Sequence, residues 1–170
     1  MNGPSDRQIA AWYPRLLRTA LRMTGRQEDA ADLTQQAFCK ALDRWEQFDG
    51  SCQPTTWLHS ILVNCVRDWL RRRSVQTAEP LAEWDLPASA DEHASPALQL
   101  EVKEQTSRLR RAIASLPEEL RVVFVAALLD GYTYQEIAEM LAVPVGTVGH
   151  RIYRARRIVE SQMREWFPEA

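Results

Sequence analysis

The sequence predicts an all-α protein: two small helical domains joined by a flexible acidic linker, with a helix-turn-helix in the C-terminal domain. Three observations predict it. Apolar residues recur at helical spacing on both sides of residues 75–97. Two capping boxes, Ser5 with Gln8 and Thr133 with Glu136, mark helix starts. Residues 75–97 lose the periodicity, carry prolines at Pro80, Pro87 and Pro96, and hold five acids with no lysine or arginine. The expected division is therefore 1–74, a linker over 75–97, and 98–170.

The first helix follows Ser5 and places Ile9, Trp12, Tyr13, Leu16, Leu17, Ala20 and Leu21 at helical spacing up to Thr24 and Gly25. Pro14 lies within that run, and the helix either kinks there or begins afresh. A long second helix starts near Gln27, where Glu28, Asp29 and Asp32 suit the positive end of the helix dipole. Its inward face is Leu33, Ala37, Ala41 and Leu42, continuing to Trp45 and Phe48, with Asp32, Gln35, Gln36 and Cys39 elsewhere around it. Residues 49–54 form a turn-rich loop, and Thr55 or Thr56 caps the next helix. In that helix Trp57, Leu58, Ile61, Leu62, Cys65, Val66, Trp69 and Leu70 face inward. Ser60, Asn64, Arg67 and Arg71 share the opposite face. The run Arg71–Arg73 complements a helix C-terminus, and it also extends a polar stripe suited to phosphate and base contacts.

Trp84 and Leu86 are unusual residues for a spacer, which suggests that part of the linker docks on something. Helicity returns from Leu98 through Leu100, Val102, Leu109, Ile113 and Leu116, and Pro117 breaks it. A further amphipathic helix over 118–129 carries Leu120, Val123, Phe124, Ala127 and Leu128 and is closed by Asp130 and Gly131. Thr133 then opens a short helix with Ile137, Ala138 and Leu141 inward. Ala142 and Val143 make a turn, and Pro144 precedes a helix starting near Val145. There Val145, Val148, Ile152, Ala155 and Val159 form a narrow apolar stripe. Thr147, His150, Arg151 and Arg154 are left on a broad polar face, and a lone helix of about 10 Å diameter fits the DNA major groove. A solvated basic face would share those arginines. Cap, turn proline, stripe and outward arginines within one unit favour DNA reading.

Composition narrows the classes. With 170 residues and 45% hydrophobic content the chain can bury one medium core or two small ones. No N-terminal basic–apolar leader and no apolar run near the roughly 20 residues of a membrane span is present, so the expected location is cytoplasmic, without membrane insertion. Cys39, Cys52 and Cys65 include no CxxC pair and are expected to be buried or semi-exposed free thiols. His59, His93 and His150 are scattered, so no metal, cofactor or activated nucleophile is expected. The net charge of −2 is awkward for an unaided DNA binder, because phosphate affinity comes mainly from lysine and arginine.

The stretches LRMTGRQEDAADLTQQAF (21–38), FDG followed by TTWLHSILVNCVRDWLRRR (55–73), and LPEELRVVFVAALLDGYTYQEIAEMLAVPVGTVGHRIYRAR (116–157), in that order, resemble sigma factors of the extracytoplasmic-function (ECF) type, which carry sigma regions 2 and 4 only. The resemblance covers Ile9 to Phe167 apart from the linker. It implies a bacterial transcription initiation factor, not an enzyme, that directs core RNA polymerase to promoters and helps melt the minus-ten element. Region 2 would meet the polymerase clamp coiled coil through Asp29, Asp32, Gln35 and Gln36, while region 4 would engage the flap. Gln36 stands where the family usually has an acid, which removes one charge-assisted contact. The loop after Phe48 resembles the family's specificity loop. Gln53, Thr55, Thr56 and Asn64 are the implied contacts to an extruded base, with Arg67, Arg71 and Arg72 on phosphates. Thr147, His150, Arg151 and Arg154 are the implied readers of the minus-thirty-five element, and Gly149 replaces a usual long polar side chain. The resemblance also implies promoter DNA and an anti-sigma factor as partners. If core polymerase supplies most of the DNA affinity, a slightly acidic subunit is no longer awkward. The alternative is a stand-alone helix-turn-helix regulator, which would bind duplex tightly without polymerase.

Overall fold

The computed structural model describes residues 3–76 and 95–166, and every described element is helical. Helix α1 (Asp6–Thr24) begins with the expected box: the Ser5 hydroxyl accepts from the Gln8 amide, and the Gln8 side chain accepts from the Ser5 amide at 2.9 Å. It runs unbroken through Pro14 and ends at Gly25, whose φ of 71° is the left-handed conformation that closes the helix onto the Leu21 carbonyl. Helix α2 (Gln27–Asp43) has no side-chain cap, and Glu28 and Asp29 in its first turn face the helix dipole instead. After a 3₁₀ turn at Trp45–Gln47, helix α3 (Pro54–Gln76) starts one residue before the threonines expected to cap it. Thr55 and Thr56 therefore lie inside its first turn. The Thr56 and Trp57 amides bond the Gln53 carbonyl instead, and Pro54 supplies the fixed φ of a helix start.

Helix α4 (Pro96–Ser115) is capped by Ser95, whose hydroxyl accepts from the Leu98 amide. Helices α3 and α4 thus extend inward from both sides of the expected linker. The suggestion that Trp84 and Leu86 dock falls outside the described residues. Helix α5 (Glu118–Phe124) does not continue as an α-helix to Leu129: Val125–Leu129 is a π-helical turn that delivers Asp130. Helices α6 (Tyr134–Leu141) and α7 (Val145–Trp166) complete the chain.

Leu16, Leu33, Leu58, Leu62 and Val66 are fully buried among α1, α2 and α3, while Ile113, Leu116, Leu120, Ile137 and Ile152 are buried among α4–α7. Full burial of each such side chain contributes roughly 1.5–3 kcal/mol relative to exposure. The two helical groups are in contact, with α3 packed on α5 and α6 and α1 against the π turn. Several residues expected to face inward do not. Leu42, Leu98, Leu100, Val102, Leu128 and Val145 are exposed, Leu100 at 68%. Leu128 lies in the π turn, where the α-helical phase is lost; the others have the right helical phase and are exposed nonetheless.

Candidate nucleic-acid interface

The α6–turn–α7 unit is built by local chemistry. The Thr133 hydroxyl accepts from the Glu136 amide at 3.2 Å, and the Glu136 carboxylate takes the Thr133 amide and hydroxyl, each at 2.8 Å. The Thr133 backbone amide, then its hydroxyl, hold the Glu136 carboxyl below its ordinary pKa. Ala142 takes a left-handed conformation with φ 52°, the only non-glycine with positive φ among the described residues, and the Val143 amide bonds the Ala138 carbonyl at 3.0 Å. Pro144 cannot extend α6. Its carbonyl receives the first amides of α7, from Thr147 at 2.9 Å and Val148 at 3.3 Å.

On α7, Val148, Ile152, Ala155 and Val159 are buried as expected, which turns His150, Tyr153, Arg154 and Arg157 outward. Val145 departs from the expected stripe at 40% exposed. Thr147 is half-buried. Arg151 is also half-buried, with its guanidinium donating to Glu119 at 2.6 Å, so it is not the free outward arginine that spacing suggested. Arg156 is exposed as well and had not stood out from its neighbours in the sequence. Gly149 lies against the Tyr134 ring, where an added Cβ would be in ordinary contact at 3.9 Å.

The α3 face has a different character. Asn64 and Arg72 are exposed, and the Arg72 Nε donates to the Asp68 carbonyl at 3.2 Å. Arg67 and Arg71 approach Glu118 of α5 at 3.5 and 3.9 Å. Ser60 donates to its own helix at the Trp57 carbonyl. Gln53 is exposed, while Thr55 and Thr56 are half-buried. Beneath the loop, Trp45 stacks near Trp12 at 6.4 Å and meets Phe48 and Trp57 at 5.6 and 5.7 Å. Trp57 is thus part of an aromatic floor that holds the loop. Within the loop Asp49 accepts the Ser51 amide at 2.9 Å, which lowers its carboxyl pKa, and Gly50 supplies φ 75°.

On α2, Asp32, Gln35 and Gln36 are exposed and line one shallow depression with Cys39 and Lys40. Asp29 lies outside it, between Arg26 at 3.3 Å and Arg73 at 3.6 Å. The three thiols are free. Cys65 is buried beside the Lys40 ammonium at 3.4 Å, Cys52 is half-buried, and Cys39 is exposed rather than semi-exposed.

The contact between the helical groups was not anticipated. Arg22 pairs with Asp130 and donates to the Leu129 carbonyl at 3.0 Å. The Thr19 hydroxyl lies 2.8 Å from Asp130 and 3.3 Å from Nε2 of His59, which is 1% exposed. Nδ1 of His59 lies 2.8 Å from the Thr55 carbonyl, which only accepts, so Nδ1 carries the proton of the neutral ring. The single Thr19 proton cannot serve both Nε2 and Asp130. Burial lowers the His59 pKa, and the ring packs against Tyr132, whose hydroxyl burial pushes up to about 12. Arg121, 7% exposed and lowered to about 10 by burial, donates to the carbonyls of Met23 at 3.1 Å, of Leu116 at 3.0 Å and of Ala114. A lone arginine in the apolar run LPEELRVVF was the only signal in the sequence for this contact.

The family described as Sigma-70 region 2 matches residues 9–75, and Sigma-70, region 4 matches residues 106–159. The chain is 35% identical over 164 residues to the ECF RNA polymerase sigma factor SigE of Mycolicibacterium smegmatis, covering 95% of this chain and 60% of that protein. It is 32% identical over 142 residues to the ECF RNA polymerase sigma-E factor of Escherichia coli K12, covering 80% and 74%. In fold it is similar to the sigma factor RpoE of Bartonella quintana, solved in complex with the anti-sigma factor NepR (TM-score 0.69, 21% identity, 93% and 95% coverage). It is also similar to CnrH in complex with the cytosolic domain of CnrY (TM-score 0.65, 24% identity, 94% and 87% coverage).

Proposed function

Since the chain belongs to the sigma-70 family, in its extracytoplasmic-function class, we propose that it is a transcription initiation factor that binds core RNA polymerase in the cytoplasm, directs it to specific promoters and helps melt the minus-ten element. The observation that carries this is the ordered pairing, in one chain, of an α1–α3 unit matching region 2 with a helix-turn-helix unit matching region 4. A stand-alone regulator has no use for the first unit. No helix among the described residues is long and apolar enough to cross a membrane.

In this reading residues 1–74 are region 2, 75–97 the linker and 98–170 region 4. His150 and Arg154, supported by their exposure on α7, read the minus-thirty-five element with Thr147 and Arg151 beside them. Asn64 and Gln53, with Thr55 and Thr56 at the mouth of the loop, contact the extruded minus-ten base, and Arg67, Arg71 and Arg72 track phosphates. Asp32, Gln35 and Gln36, grouped at one depression on α2, dock on the clamp coiled coil; Asp29, held by two arginines, contributes less. Region 4 meets the flap, and an anti-sigma factor restrains the chain.

The test is transcription from a genomic promoter library with purified core polymerase. Promoter-selective transcripts that appear only when core and this chain are combined support the reading. Tight sequence-specific duplex binding by the chain alone, without such transcripts, favours the stand-alone regulator.

A further inference from the structure

The residues that open α7 carry no long hydrogen-bonding side chain: they are Val145, Gly146, Thr147, Val148 and Gly149. Arg151, just beyond them, donates to Glu119. What this end of the helix exposes is apolar instead. Val145 is 40% exposed, and Tyr134, the first residue of α6, is 42% exposed with its ring edge 3.9 Å from where a Cβ on Gly149 would sit. Tyr153, at 62%, continues the strip, because Val145, Gly149 and Tyr153 follow at four-residue spacing and so neighbour one another on the helix surface. Gly149 is what opens it. Any longer side chain there starts against the Tyr134 ring, whereas glycine leaves that edge bare.

In a helix-turn-helix the N-terminal residues of the second helix meet base edges in the major groove. Those edges present hydrogen-bond donors and acceptors, and the C5-methyl of thymine is their one apolar group. Apart from the two phenol hydroxyls, the strip offers no donor to a purine and no acceptor to cytosine; the methyl is what it complements. We propose that Tyr134, Val145 and Tyr153, laid bare beside Gly149, form an apolar strip that selects thymine within the minus-thirty-five element through its C5-methyl group. This rests on the reading of α7 as the helix that enters that element. His150 and Arg154, exposed further along, are left to hydrogen-bond neighbouring bases, so the strip and the polar residues divide the element between them. All of these residues lie on α6 and α7; the seam where the two helical groups meet is bonded through others, among them Thr19, Arg22, Arg121 and Asp130.

The experiment starts from a promoter that the full chain and core polymerase transcribe together, randomises its minus-thirty-five element, and sequences the templates that yield transcripts. Selected thymines are then replaced one at a time by deoxyuridine, which keeps every hydrogen-bonding group and lacks only the methyl. Thymine should be enriched at one or more positions on either strand, and at least one exchange should lower initiation about fourfold, the scale of one buried methyl group. The same exchange in the spacer downstream is the control and should change nothing. Gly149→Gln, which sets a polar side chain against the ring edge, and Val145→Ser, at an exposed position, should each weaken the thymine preference and the response to deoxyuridine while still binding core polymerase. Should Gly149→Gln lose its helical circular dichroism, Val145→Ser decides alone. An A·T preference that survives the exchange is readout of groove shape and overturns the proposal, as does a deoxyuridine effect that the folded variants keep in full. Core-dependent transcription without thymine dependence sinks this inference alone, whereas the absence of any core-dependent transcript removes the underlying function and the strip's role with it.

Discussion

The polar faces of α7 and α3 both carry arginines among uncharged polar residues, and they stand in different states. On α7, His150, Tyr153 and Arg154 face solvent, and the arginine pair that exists, Arg151 with Glu119, lies within one helical group. On α3, Arg67 and Arg71 are drawn to a carboxylate of the other group, while Asn64 between them and the loop remains open. A basic stripe in sequence therefore says which chemistry is present. Whether that chemistry is available depends on what else the chain packs against it.

The largest expected effect bears on the contact that makes the two faces differ. Arg121→Ala leaves the Met23, Ala114 and Leu116 carbonyls without their charged donor. A hydrogen bond to a charged group contributes about 1.5–3 kcal/mol, so the variant should lose at least that much in urea unfolding. Wild-type stability would show that the buried arginine does not hold the seam.

The next effect separates the faces by function. Arg154→Ala should lower minus-thirty-five-dependent initiation about tenfold, in the range of one base contact, and leave the unfolding midpoint unchanged because the side chain is exposed. Asn64→Ala should leave polymerase binding intact and reduce permanganate reactivity of the minus-ten element. If the two variants fail at the same step, the division of labour between the faces is wrong.

A smaller effect tests how firmly α7 is held. Gly149→Ala places a Cβ in ordinary contact with the Tyr134 ring and should raise stability by up to about 1 kcal/mol through helix propensity. A lower urea midpoint would mean that α6 and α7 need that gap.

The smallest effect is protonation at the seam. Burial lowers the pKa of His59 from its ordinary 6.5, with the Thr55 carbonyl and then Asp130 opposing and Arg15 reinforcing the shift; Thr19 and Tyr132 also face the ring. The neutral ring is therefore favoured by the folded chain. Its contribution is complete above about pH 6.5 and is lost as pH falls from there through the lowered folded-state value, because the unfolded chain takes up the proton first. Urea midpoints should fall over that window, and His59→Gln should flatten the fall. An equal slope in the variant would assign the pH dependence to other groups.

Both capping boxes, the helix-turn-helix and the buried stripe of α7 from Val148 to Val159 were legible in the sequence, because each rests on residues three or four positions apart. A cap needs one side chain and one nearby amide, and a stripe needs only a period. The π turn at Val125–Leu129 was not legible, since the run has the same apolar residues as an α-helix, and its end is held by the Asp130 bonds across the seam. Exposure of Leu42, Leu100 and Val145 escaped for a related reason: phase tells which way a residue points, not whether a neighbour lies there. Of the candidate contacts, Arg154, His150 and Asn64 are exposed as their spacing suggested, whereas Arg67, Arg71 and Arg151 have acidic partners that spacing did not reveal.

The sequence by itself determined most of the helices, the two capping boxes, the order of the two units and the family, all of which are written in local spacing and residue type. Only the tertiary structure decided that Arg22 and Thr19 meet Asp130 more than a hundred positions away, that Arg121 is buried, and that Glu118 stands over α3. Those pairings depend on how two helical groups dock, and docking follows the summed shape and charge of two surfaces, which no local pattern records.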